Sequence, residues 1–155
     1  MANGCNNEVL FPTLINEECT VNEKFIIKAE ILNKYDRYLF KYRANKILKY
    51  IKKNLDINSY SITHAHSLFS NGYISYLLKK EYSIPYIVAV RNTDLNRFFR
   101  KRILLRRLGV DILINADKII FLSEPYREQT VEGYVPIDKR QEINKKSVKM
   151  PNGIN

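Results

Sequence analysis

The chain has 155 residues, a formal net charge of +10 and a sequence pI of about 9.6. With 45% hydrophobic and 27% charged residues it has an ordinary globular composition, and at this length it amounts to one domain with a real core. No apolar run is long enough to cross a bilayer, and the polar first residues predict no signal peptide. The basic excess predicts an anionic partner, which composition leaves open between nucleic acid, an acidic membrane surface and a phosphorylated substrate.

The two cysteines, Cys5 and Cys19, have no metal-ligand spacing. Because nothing in the sequence indicates secretion, we expect both to be free thiols.

The first third of the chain predicts short extended segments followed by a long helix. Residues 8–12 fit a short strand and residues 13–22 a polar loop, whereas residues 24–32 fit either a strand or the lead into a helix. From Tyr35 onward, apolar residues recur at helical spacing, with the lysines elsewhere around the helix as a solvent-facing surface. The apolar face comprises Phe40, Ala44, Ile47, Leu48, Ile51 and Leu55.

Residues 61–94 predict a β-α-β unit with parallel strands and a right-handed connection. The first strand is residues 61–65. A helix opens near Gly72 and ends before Pro85, since proline has no N–H to donate. Residues 85–90 are short, β-rich and almost entirely apolar, which is typical of a strand buried on both faces. The apolar face of the helix comprises Ile74, Leu77, Leu78 and Tyr82.

Residues 95–107 interleave arginine and lysine with Phe and Leu, a pattern that fits a membrane-surface helix or a solvated basic face. From Leu105 the apolar spacing is cleaner and predicts docking on the sheet, so we expect one helix with a basic, exposed first half. The docking residues are Leu105, Leu108, Ile112 and Ala116.

The last part of the chain predicts a third buried strand at residues 118–122 and a short helix at residues 126–132. Ser123 fits the N-cap of that helix, with a proline soon after it. Residues 133–146 are polar and predict a loop. A last short strand at residues 147–150 and a turn after it complete the pattern.

Polar residues follow three of the predicted strands, and in open parallel sheets ligands bind outside the carboxyl ends of strands. The candidate residues for such a site are His66, Ser67, Arg91, Asn92, Asp94 and Ser123. Each also has a structural interpretation: Arg91 and Asp94 pair with each other, Asn92 shapes a turn, and Ser123 is an N-cap. His64 lies within a strand, where packing or capping is the favoured role, and two histidines alone do not make a metal site.

Four segments together resemble the amino-terminal half of family 4 retaining glycosyltransferases. They begin at His64, Ile84, Ala116 and Met150, and read HAHS, IPYIVAVRNTD, ADKIIFLS and MPNGIN. Their order and spacing match the family from about residue 61 onward, and more loosely before it. No one segment is specific for the family, but four segments in the family's order, each at the end of a predicted strand, are fairly specific for it.

The resemblance implies the two-domain B-type glycosyltransferase fold, of which this chain would be half. Residues 1–150 would form a Rossmann-like, three-layer α/β domain with a parallel sheet and helices on both faces, lacking its first strand, glycine-rich loop and helix. Residues 151–155 would begin the linker to an absent carboxy-terminal domain. In that fold the amino-terminal domain mainly holds the acceptor, and the nucleotide-sugar donor binds to the second domain.

Many relatives have a histidine after the strand that ends at Val90, where this chain has Arg91. An arginine does not act as a base near neutral pH, but it binds phosphate or carboxylate. The resemblance therefore implies electrostatic support for a departing diphosphate or an anionic acceptor. It leaves the catalytic residues unassigned, and it implies no metal and no cofactor.

The leading function predicted from the sequence is a hexosyltransferase half that binds a polysaccharide, oligosaccharide or lipid-linked acceptor and is inactive alone. It implies a cytoplasmic protein, with peripheral attachment to the inner face of a membrane as a weaker expectation. The basic residues for such attachment are Arg97, Arg100, Lys101, Arg106 and Arg107. The alternatives are a non-catalytic module that binds nucleic acid or an anionic surface and a flavodoxin-like module, which would need a complete phosphate loop. Nucleic acid is the less favoured partner because no recognised motif for it occurs.

Overall fold

The computed structural model describes residues 8–15, 26–36 and 39–151. The chain divides into two compact units, residues 1–56 and 57–155, which are taken in turn. Of the turn predicted at residues 151–153, all but Pro151 lies outside the described residues, as do both cysteines. The division of the chain at residue 150 into a domain and a linker stays a prediction.

The described residues of the first unit form two parallel strands and one helix: β1 (Val9–Leu14), β2 (Ile26–Leu32) and α1 (Phe40–Asn54). β1 and β2 pair from Val9 opposite Ile26 onward, with an irregularity between Thr13 and Leu14. The short strand predicted near residue 8 is therefore confirmed and runs two residues further than expected. Of the two interpretations of residues 24–32, the strand is correct.

Helix α1 begins at Phe40, five residues later than the sequence spacing predicts, because a turn occupies part of the preceding segment. The buried carboxylate of Asp36 closes this turn by accepting hydrogen bonds from the Asn33 N–H and from Lys46 Nζ, each at 2.8 Å. The hydrogen bond from Lys46 is the main cause that lowers the pKa of Asp36. The buried residues of α1 are Ala44, Ile47 and Ile51, which confirms its predicted apolar face.

The second unit is built on four parallel strands in the order β3-β4-β5-β6. The three strands predicted in residues 61–122 and the last short strand are all confirmed, each slightly shorter than expected. The strands are β3 (Thr63–Ala65), β4 (Tyr86–Val90), β5 (Lys118–Phe121) and β6 (Ser147–Lys149).

Helical segments connect the strands of this sheet, so the predicted Rossmann-like α/β class with parallel strands is confirmed. The helix predicted between the first two strands is present as α2 (Gly72–Tyr82), and it contacts α3 (Ile103–Asn115). A single 3-10 turn (Ile57–Ser59) precedes β3. The other connecting segments are a π-helical segment (Asp94–Phe99), α4 (Glu124–Tyr134) and α5 (Ile137–Lys146).

The core between β4 and the helices α2 and α3 is close-packed. The fully buried Tyr86 of β4 donates its hydroxyl to the Ile112 carbonyl of α3 at 2.5 Å, and burial raises the pKa of this phenol. At Gly72, the first residue of α2, a Cβ atom would lie 3.0 Å from Val88 Cγ2 and 3.3 Å from Ile112 Cγ2. Glycine therefore lets the start of α2 approach the sheet more closely than any other residue could.

Two helix predictions for this unit are wrong. Residues 137–146 form α5 rather than a loop. Only Ile143 of this helix is buried, so its sequence has no periodic apolar face from which a helix could be predicted. Its ends carry Asp138 in the first turn and Lys146 in the last, which complements the helix dipole. The single helix expected from residue 95 is instead two segments, a π-helical one and α3, separated by a turn at residues 100–102.

Candidate functional site

The carboxyl ends of β3, β4 and β5 lie along one edge of the four-stranded sheet. The parallel register sets Ala65 opposite Val88, and Val90 opposite Phe121. The loops that leave these strands therefore start from the same edge, where parallel sheets place their ligands. The predicted site residues all lie in these loops or at the helix starts that follow them.

Asp94 joins two of these loops from inside the protein. Its carboxylate is 1% exposed and accepts three backbone N–H groups: Leu68 at 3.0 Å, Phe69 at 3.2 Å and Arg91 at 2.9 Å. Leu68 and Phe69 follow β3, whereas Arg91 follows β4, so one carboxylate ties both loops together. Burial raises the pKa of this carboxyl, and the three hydrogen bonds act in the opposite direction. Asp94 is thus placed to position the site rather than to touch a ligand.

The side chain of Arg91 extends over the loop that follows β3. Its Nε donates a hydrogen bond to the His66 carbonyl oxygen at 3.0 Å, while its backbone N–H is held by Asp94. The guanidinium is partly exposed and always charged. These contacts bring three of the predicted site residues, His66, Arg91 and Asp94, into one group.

The two imidazoles of the chain lie together beside Arg91. The ring centroids of His64 and His66 are 4.5 Å apart with an interplanar angle of 30°, and both side chains are exposed. Desolvation by burial lowers the pKa of His64, and the positive charges of His66 and Arg91 lower it further. His64 therefore stays neutral at pH values where an ordinary histidine is partly charged. We call His64, His66 and Arg91 the cationic cluster, after the permanent charge of Arg91.

Ser67 and Gly72 shape the loop between β3 and α2. The Ser67 hydroxyl accepts a hydrogen bond from the Asn71 N–H at 3.3 Å, and its carbonyl accepts one from the Gly72 N–H at 2.9 Å. The hydroxyl and the carbonyl of Ser67 therefore both hold the start of α2 against the loop.

The other two predicted residues make separate contacts. Asn92 is exposed and accepts a hydrogen bond from the Asn96 side chain. Ser123 occupies the N-cap position of α4, as its sequence context predicts, but its hydroxyl makes no capping hydrogen bond. The carbonyl of Ser123 accepts the Arg127 N–H at 3.2 Å. Ser123 therefore lies at the start of a helix at the same sheet edge, but its hydroxyl does not cap the backbone N–H groups of that helix.

His64 is the residue that the sequence-based list omits. A strand places residues i and i+2 on the same side, so the spacing of His64 and His66 already indicates that the two rings lie together. This signal was available in the sequence, whereas the backbone partners of Asp94 were not, since they lie 25 and 26 residues away.

Within residues 8–15, 26–36 and 39–151, no three His, Cys, Asp or Glu side chains gather into a group that could hold a metal ion. The same residues contain no helix with the length and hydropathy needed to span a bilayer. Comparison with protein-family models finds no match, and comparison with curated protein sequences finds none either.

Proposed function

We propose that this chain is the acceptor-binding half of a retaining glycosyltransferase of the B type, similar to family 4. The observation that carries the proposal is the cationic cluster at the carboxyl edge of the sheet, which Asp94 holds in place from within. The four sequence segments that resemble the family support it, because three of them include the carboxyl ends of the strands that form this edge.

The chemistry of the cluster suits an anionic group. Arginine presents a planar set of N–H donors that matches phosphate, and each imidazole adds a donor or a charge. In glycosyl transfer from a nucleotide sugar, negative charge accumulates on the departing diphosphate, and a fixed cation stabilises it. Arg91 would therefore contact a phosphate, either on the leaving group or on a phosphorylated acceptor, and it would not accept a proton.

The loop geometry supports a fixed role for Arg91. Its backbone is held by a buried carboxylate and its Nε by a carbonyl oxygen, so the guanidinium needs little reorganisation when an anion binds. A site whose donors are already in place loses less conformational entropy on binding than a mobile lysine would.

Ligand-observed NMR on the whole chain tests the proposal with three probes: a free hexose, the hexose 1-phosphate and inorganic pyrophosphate. We expect the hexose 1-phosphate to bind more tightly than either of the other two. The Arg91→Gln variant should bind it at least about tenfold more weakly, because a charge-assisted hydrogen bond contributes about 1.5 to 3 kcal/mol.

Arg107→Gln is the matched control, because it removes one positive charge from an exposed position outside the site. It should leave affinity for the hexose 1-phosphate unchanged. Equal binding by wild type and Arg91→Gln, or no preference for the sugar phosphate over pyrophosphate, would contradict the proposal.

A further inference from the structure

The start of α3 exposes two large aliphatic side chains. Ile103 is 68% exposed and Leu104 is 97% exposed. They are the first two residues of α3, directly after the turn at residues 100–102. Burying such side chains in an apolar environment is favourable, so the exposure of two neighbouring ones indicates a contact surface.

The same corner is strongly basic. No acidic residue occurs between Asp94 and Asp111, whereas six arginines or lysines do. Four of the six are exposed and lie within six residues of the aliphatic pair along the chain, and Arg107 lies one helical turn after Ile103, on the same face of α3. These four are Arg97, Arg100, Lys101 and Arg107, and together with Ile103 and Leu104 they form what we call the basic tip.

The remaining two basic residues have structural roles. Arg106 donates its Nε to the Phe99 carbonyl at 2.6 Å and lies over the Tyr134 ring, at 5.2 Å from the ring centroid. Arg102 lies over the Phe98 ring at 5.4 Å. Arg106, which the sequence groups with the surface arginines, therefore caps the π-helical segment and does not belong to the basic tip.

The aromatic residues of this corner are turned inward. Phe99 is fully buried between Phe69 and Tyr134, with ring centroids at 5.1 Å and 4.7 Å. Phe98 stacks on Phe69 at 4.6 Å. Single-stranded nucleic acid is bound largely by stacking bases on exposed aromatic rings, and here the exposed apolar side chains are aliphatic instead. The surface therefore fits a lipid bilayer better than a nucleic acid.

We propose that the basic tip docks this protein on an anionic membrane surface. Ile103 and Leu104 enter the interface between headgroups and acyl chains, and the four cations contact the acidic headgroups around them. The attachment is peripheral, and it does not depend on the glycosyltransferase proposal, since it involves neither the cationic cluster nor Asp94.

The chain contains no tryptophan, so Leu104→Trp places a single fluorescent reporter at the tip. With vesicles of phosphatidylglycerol and phosphatidylcholine at equal proportions, we expect a blue shift of its emission and quenching by brominated lipid. With pure phosphatidylcholine we expect neither. An emission maximum that stays at the water-exposed position with the anionic vesicles would overturn the proposal.

Vesicle flotation with matched variants separates the contributions. Ile103→Ser with Leu104→Ser should weaken binding by about tenfold or more, because two aliphatic side chains no longer leave water. Ile137→Ser is its control, since Ile137 is 80% exposed but lies beside Asp138. Equal losses in the two variants would overturn the proposal.

A charge-matched pair tests the basic residues. The triple variant R97Q/R100Q/R107Q should bind anionic vesicles at least about tenfold more weakly, given the attraction of each cation to an acidic surface. The triple variant K41Q/K49Q/K53Q removes the same charge from exposed positions of α1 and should bind like wild type. Equal weakening in the two triple variants would show that binding depends on net charge alone.

A DNA oligonucleotide is the competing probe. If the protein binds it more tightly than the vesicles, and Leu104→Ser does not change that affinity, the partner is a nucleic acid instead. Either result overturns the proposal.

Discussion

Replacing Asp94 by asparagine tests whether one buried carboxylate holds the site together. The two side chains have nearly the same shape, but asparagine has one acceptor oxygen where aspartate has two. In the structure one carboxylate oxygen accepts from Leu68 and Arg91 and the other accepts from Phe69. The best orientation of the amide keeps the first two bonds without their charge and sets its NH2 group against the Phe69 N–H.

The expected cost follows from that arrangement. A buried N–H without an acceptor costs about 1 to 3 kcal/mol, and two charge-assisted bonds become weaker neutral ones. The variant no longer buries a charge, which offsets part of this loss. We therefore expect Asp94→Asn to lower the free energy of unfolding by about 2 kcal/mol, and Asp94→Ala, which removes all three acceptor contacts, to lower it by roughly 4 kcal/mol.

Urea denaturation followed by circular dichroism measures the global effect, and hydrogen exchange of the peptide that spans residues 66–72 measures the local one. The amides of Leu68 and Phe69 should exchange much faster in Asp94→Asn. Asp138→Asn is the control, since its side chain is 73% exposed and such a position contributes about 1 kcal/mol or less. A change below about 0.5 kcal/mol with unaltered exchange in residues 66–72 would refute the proposed role of Asp94.

Three further predictions concern the packing and electrostatics of the second unit. A Cβ at Gly109 would lie 2.6 Å from the Phe69 ring, so Gly109→Ala should destabilise the protein by about 1 to 3 kcal/mol. A Cβ at Gly133 would have no atom within 4 Å, so Gly133→Ala, which is in a helix, should stabilise the protein by about 0.5 to 1 kcal/mol. Equal effects of the two variants in urea denaturation would disprove this. The pKa of His64 is lowered in the folded protein, so the unfolded chain binds its proton first and stability falls as the pH drops below about 6.5. His64→Gln should therefore lose less stability than wild type between pH 7.5 and 5, and parallel losses would count against the assignment. Tyr86→Phe should cost about 1 kcal/mol in urea denaturation through the lost hydroxyl bond, and a neutral result would mean that this bond contributes nothing.

The strands and most helices of this chain could be predicted because their signals are local. A run such as residues 85–90 is apolar at every position, and α2 repeats apolar residues at three- and four-residue steps, so each pattern is complete within its own segment. The site edge followed from those strands, since the carboxyl ends of parallel strands meet on one side of a sheet. The pairing of His64 with His66 was also within reach, through the two-residue period of a strand.

The remaining features depend on contacts between distant parts of the chain. Helix α5 has one buried residue, Ile143, and so has no periodic face to read. Arg106 resembles its exposed neighbours in sequence, and only the position of Phe99 and Tyr134 assigns it to capping and stacking.

The sequence by itself determined the α/β class, the positions of the parallel strands along the chain and the polar loops that follow them. Only the tertiary structure decided which of those polar residues is buried. In the sequence Asp94 does not differ from an exposed loop aspartate, because its burial depends on the N–H groups of Leu68 and Phe69, which come from the loop after β3. Burial and hydrogen-bond partnership belong to groups far apart along the chain, and a local pattern of residues does not contain them.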